Sequence, residues 1–265
     1  MKNLCFAVLI AGFGLNANAV GRLADVSIVD RDSGEELNTH FYRGEYWVVG
    51  TPGARYSILI RNALGERLLA VTAVDGVNVL SGDTANWNQT GYVFWARQHY
   101  EVTGWRKSDS EVAAFEFTAL PNSYAARTGR PENVGVIGVA LFRERATPES
   151  ESYARAFKSQ DVPNPAPSPT APARAGSENS LAALGAGVPQ SLGTGHGERE
   201  YSAVHHVDFE RLSSRPDELI RIRYDSLENL VAMGVVHQSR RSPTQPNPFP
   251  ESPLARYVPD PPDSR

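Results

Sequence analysis

The sequence predicts a mainly β protein: an antiparallel β-sandwich or Greek-key barrel with a docked C-terminal β-β-α unit. Three observations carry that expectation. Short runs rich in β-branched and aromatic residues alternate apolar with polar positions. They recur at intervals of about 10–20 residues, separated by Gly, Asn and Pro, which is the punctuation of an all-β domain. Proline is concentrated outside them: of 19 prolines, six lie between Pro148 and Pro172 and eight between Pro243 and Pro262.

The elements follow in order. Residues 46–49 are a short β-rich run, Tyr-Trp-Val-Val. Residues 55–62 place Tyr56, Ile58 and Ile60 on one face and Ser57, Leu59 and Arg61 on the other, the period of two that a strand requires. Asn62 to Gly65 reads as a turn, with 68–74 as the returning strand of a hairpin. Asp75-Gly76 is a tight-turn signal, and 77–80 resumes extended structure. Runs at 91–95, 99–105, 112–118 and 134–143 bring the total to about eight strands. The last of these is apolar almost throughout, which suits a central strand buried on both faces. Gly135 and Gly138 within it point to a bulge or close packing.

The second folded stretch opens with Gly193-Thr194-Gly195-His196-Gly197, read as a flexible entry. Its glycines do not meet the G-x-G-x-x-G spacing of a dinucleotide loop. Residues 200–209 alternate, with Tyr201, Ala203, His205, Val207 and Phe209 on one face. A strand at 219–224 follows. Asp225 or Ser226 then caps a short helix at 227–233, ended by Gly234. About 45 residues cannot hold an independent core without a metal or disulfide, so this unit is expected to dock on the sandwich.

The expected domain plan is a signal peptide at 1–19, a sandwich domain at 20–146, a Pro/Ala/Gly-rich linker at 147–192, the docked segment at 193–238 and a disordered Pro-rich tail at 239–265. Lys2, the apolar stretch 4–15 and Ala17-Asn18-Ala19 have the layout of a secretory signal cut after Ala19. As a helix the apolar stretch spans about 18 Å, short of the roughly 30 Å hydrocarbon core. No later stretch is apolar over the 18 or so residues that a spanning helix needs, so no integral membrane segment is expected after cleavage. Cys5 is the one cysteine and lies in the signal. The mature chain then has no disulfide, zinc–thiolate site or thiol nucleophile.

Apolar residues make up 41% of the chain and charged residues 21%, which is globular composition. The net charge of −4 argues against nucleic acid as a partner. No hydrolase elbow, H-E-x-x-H, P-loop or S-x-x-K motif occurs, so neither enzyme activity nor a cofactor is expected. Glu111 and Glu116 fall on opposite strand faces and make no glycosidase pair. The acidic turn 30–36 lacks the EF-hand spacing.

Two constellations remain. Trp87, Trp95 and Trp105, with Arg106 beside the last, are candidates for stacking on a ligand such as a sugar ring. Packing in the core or at its rim is the competing use of these indoles and of Trp47. The second is metal-like: His206 and Asp208 share a strand face while His205 points away, and His196 or His237 would have to join them.

The runs VDGVNV, GYV, GWRKSDSEVAAFEFT and SYAARTGRPENVGVIGVALFRER, with LGTGHGEREYS, FERLSSRP and IRYDSLENLVAMGVV, resemble a family of uncharacterised exported proteobacterial proteins. The resemblance covers roughly 46–145 and 192–236 and implies a bacterial cell-envelope setting. It supplies no activity and no functional residue. The expectation is therefore a soluble periplasmic or secreted protein with a binding or envelope-structural role, its partner an envelope protein or glycan. The alternatives are a carbohydrate-binding module using exposed Trp, and a metal-dependent hydrolase using the His/Asp cluster.

Overall fold

The computed structural model of the protein describes residues 19–145 and 191–237. Almost all of the expected signal peptide, linker and tail lies outside the described residues. The described chain forms two sheets around a shared core and does not close into a barrel. In the first sheet the order is β1 (Ala24–Asp30), β4 (Arg55–Asn62), β10 (Glu111–Ala119), β12 (Leu192–Tyr201). There β8 (His99–Val102) lies beside β4, and β9 (Gly104–Arg106) beside β10. In the second the order is β2 (Thr39–Tyr42), β3 (Glu45–Gly50), β13 (Glu218–Ser226), β11 (Val136–Arg143), β5 (Leu68–Val74), β6 (Val77–Asn78), with β7 (Tyr92–Phe94) also on β5.

Periodicity explains the core. Tyr56, Ile58 and Ile60 of β4 are fully buried, as their alternation requires. They meet Phe115 and Phe117 from β10, and Ile220, Ile222 and Tyr224 from β13. The expected central strand is confirmed in β11, which pairs with β13 on one edge and β5 on the other. Its two faces are buried separately. Ile137, Val139 and Leu141 enter the main core, whereas Ala140 and Phe142 lie under Phe209 on the outer side.

The C-terminal stretch is more deeply integrated than a docked unit. Its strands do not pair with each other: β12 runs antiparallel to β10, while β13 is inserted between β11 and β3, parallel to β3. The Gly-rich run is strand rather than flexible entry. A Cβ on Gly193 would fall 2.6 Å from the Ser123 Cβ and 2.7 Å from the Val134 Cγ1, so this glycine serves close packing. Conversely, the ladder stops at Tyr201, and 202–210 runs on without a partner strand among the described residues. The expected single strand 99–105 divides at Thr103 because β8 and β9 pair with different neighbours. β1 and β2 lie outside the strands expected from sequence. Ser226 caps α1 (Leu227–Ala232) by accepting from the Asn229 amide at 3.3 Å, as expected.

A polar tie crosses the core. Asp75 and Gly76 form the tight turn after β5, both with positive φ (52° and 71°). The Asp75 carboxylate is fully buried and accepts from the Tyr224 hydroxyl (2.6 Å), the Thr194 amide (2.8 Å) and the Gly135 amide (2.9 Å). The Thr194 hydroxyl bonds in turn to the hydroxyls of Tyr224 (2.7 Å) and Tyr56 (2.6 Å). Strands of both sheets, including both C-terminal ones, thus converge on one carboxyl group. Burial pushes its pKa up to about 6, against the opposing effect of its hydrogen bonds. Burial also raises the pKa of both phenols well above the ordinary value.

Candidate functional site: a cleft at the corner between the sheets

Two of the places where the chain crosses from one sheet to the other border a single cleft; β4 and β5, expected as a hairpin, are another such crossing, since they lie in different sheets. The first is the turn 95–98, which joins β7 to β8 and is closed by the Gln98 amide donating to the Trp95 carbonyl at 3.1 Å. The second is the strap 202–210, which leaves β12 and reaches the second sheet at Arg211, where it bridges to Glu144. Between them is a cleft of about 540 Å³, bounded by β7, Tyr100, Arg106 to Asp109 and strap residues 203–207. That volume suits a small ligand or a short polymer segment.

Two arginines brace its walls. Arg106, in the lining, donates through its guanidinium to the Tyr92 hydroxyl (3.1 Å) and the Ser202 hydroxyl (3.2 Å), and also to the Ser202 carbonyl. Tyr100 and Ser202 exchange a further hydrogen bond of 2.9 Å. Arg67, outside the lining, stacks 5.1 Å from the Trp95 ring and 5.8 Å from Phe209, and donates to the Asp208 carbonyl at 3.1 Å. Burial raises the Tyr92 pKa, with Arg106 opposing, and burial lowers that of Lys107. The phenol stays neutral and able to accept from Arg106.

The structure separates the four sequence candidates. Trp95 and Arg106 both line the cleft. Trp105 is corrected: it is only 2% exposed, packs edge-on to Phe115 at 5.2 Å, and its indole N–H donates to the Gly195 carbonyl at 3.0 Å. It is a core residue that no ligand reaches. Trp87, 47% exposed, stands elsewhere, beside a smaller hollow of about 240 Å³ on the outer face of the second sheet. Sequence reasoning missed Tyr92, Tyr100 and Arg67. Nothing local marks them, because their roles depend on the strap lying opposite.

The metal candidates are not assembled. Among the described residues no group of three or more His, Cys, Asp or Glu side chains is arranged to hold a metal ion. His206 faces Asp109 at 3.0 Å on the exposed strap. His196 sits on β12 with its ring centroid 6.1 Å from that of Tyr124, its pKa held down by partial desolvation and the Lys107 cation. Asp208 holds Arg67 through its carbonyl. His206 and Asp208 lie on a strap with no ladder to fix a common face, which is why their strand alternation brings no site together.

Fold and site together define a β-sandwich with a ligand-sized cleft at one corner, and no described helix is long and apolar enough to cross a membrane. In comparisons with known proteins, no family model, curated protein or solved structure matches the chain.

Proposed function

We propose that the chain is an exported β-sandwich protein that works by binding, with the corner cleft as its binding site. The carrying observation is the cleft itself: ligand-sized, walled by Tyr92, Trp95 and Tyr100, with Arg106 bonded to Tyr92 and Arg67 stacked on Trp95. Export is supported by the signal-like residues 1–19. Among the described residues the first in the core is Val20, which directly follows the expected cut. A cell-envelope setting, with an envelope protein or glycan as partner, belongs to the same proposal. So does membership of an exported proteobacterial family, which rests on the quoted runs alone. In the carbohydrate version of this reading Trp95 is the stacking residue, with Trp87 a separate surface indole.

Two measurements test the proposal. Intact mass of protein recovered from the periplasm should equal that of residues 20–265; the full-length mass would mean an uncleaved anchor, and recovery from the cytoplasm alone would end the export reading. Panels of glycans and of linear peptides should yield a ligand that binds wild type and Trp87→Ala but not Trp95→Ala. If no ligand depends on Trp95, the cleft is not the site.

A further inference from the structure

Resting on the cleft as the binding site, its hydrogen-bonding capacity points to a particular class of ligand. Several of the polar side chains that line it are already engaged. Arg106 holds Tyr92 and Ser202, Tyr100 holds Ser202, and His206 holds Asp109. A sugar ring, which needs side-chain donors and acceptors directed at its hydroxyls, finds few of them uncommitted.

The backbone is different. β7 pairs with β5 along one edge, and among the described residues no strand takes its other edge. On the strap, the Ser202 and Val204 amides donate to the Ser110 (2.9 Å) and Asp109 (2.8 Å) carbonyls. No backbone bond takes the Ala203 or His205 amide among the described residues. Two runs of main chain with open polar groups therefore border one cleft. A third extended backbone satisfies both, as in strand addition to a sheet edge. A fully extended run of the seven residues from Ser202 to Asp208 would span about 20 Å, the length of a six- or seven-residue strand. Charge agrees with a segment bearing carboxylates. Arg106 and Lys107 line the cleft against one carboxylate, Asp109, which already faces His206.

We propose that the ligand is an extended polypeptide segment carrying acidic side chains, which enters between β7 and the 202–208 strap and binds chiefly through its main chain. Trp95 and Val207 offer apolar contact to side chains on the face turned toward them.

The test is selection of a displayed library of random linear dodecapeptides on the full-length protein, beside a glycan panel. Selected peptides should be enriched in Asp and Glu. Their synthetic forms should lose at least about tenfold in affinity when alternate residues are N-methylated, which removes backbone donors and leaves side chains intact. His205→Pro, which deletes one strap donor at an exposed position, should weaken binding about tenfold, whereas Trp87→Ala should not. Peptides that tolerate N-methylation at every position and bind His205→Pro normally would overturn the main-chain mode. A glycan bound in a Trp95-dependent way, with no peptide selected, would overturn the peptide inference while leaving the cleft as the binding site. Absence of any Trp95-dependent ligand would remove both.

Discussion

At its C-terminal end β5 turns Asp75 into the interior, where three donors meet one carboxylate and the hydroxyls of Tyr224, Thr194 and Tyr56 continue the chain of bonds. At its N-terminal end the same strand carries β7, beside a cleft whose side chains are bonded across it while the β7 edge and part of the strap stay unpaired. One end is dry and complete. The other is wet and open. The difference teaches where this fold spends its polar groups. A buried network fixes one arrangement of strands because any missing partner is costly. Unpaired main chain is tolerable only where water, or a ligand, can reach it.

Four substitutions or conditions probe that contrast, taken from the largest expected effect down. Asp75→Ala strands the Tyr224, Thr194 and Gly135 donors inside the core, and should destabilise by about 3–5 kcal/mol in denaturant unfolding. A loss under about 1 kcal/mol would mean that the tie is not what joins the sheets.

The second is pH. The folded Asp75 value of about 6 lies above the ordinary 3.8 of an unfolded carboxyl. Its contribution is therefore fully present below about pH 4 and is lost as pH rises through about 6, an effect of up to about 3 kcal/mol. Wild type should lose that stability relative to Asp75→Asn between about pH 4 and pH 7; parallel profiles would refute the assignment. At the open end effects shrink. Tyr100→Phe removes one hydroxyl from the strap anchor and should cost about 1 kcal/mol or less. Faster hydrogen exchange should be confined to 202–209, and spread into β12 or β13 would show the strap to be part of the core. His206→Ala breaks an ion pair between two exposed side chains and should change stability by less than about 0.5 kcal/mol. A larger loss would make that pair a true clasp.

Much of the dry end could be read from the residues. The alternation of Tyr56, Ile58 and Ile60, the Asp75-Gly76 turn and the apolar run of β11 all have the structure they imply, because each is a local pattern. Two neighbouring readings exchanged places. Gly193 to Gly197 resembles a loop by composition, yet it is strand, its glycine admitting Ser123 and Val134. Residues 200–209 have a strand's alternation, yet Tyr201 and Val207 are exposed and only Phe209 reaches an apolar surface. Alternation signals a buried face only when something covers it, and that information is not local. The cleft was half legible: Trp95 and Arg106 were marked by residue type, but Trp105, equally aromatic, belongs to the core. Nothing in the sequence alone sets the strap across from β7.

The insertion of β13 between β3 and β11 also governs how the molecule comes into being. The second sheet has a vacant central lane until residues near Tyr224 have been made, some 80 positions after the end of β11. The second sheet cannot be completed as strands 1 to 11 emerge, and its closure depends on pairings distant along the chain, which form slowly. Until then the second sheet lacks its middle strand, which exposes the β3 and β11 edges to mispairing whenever the last third is delayed.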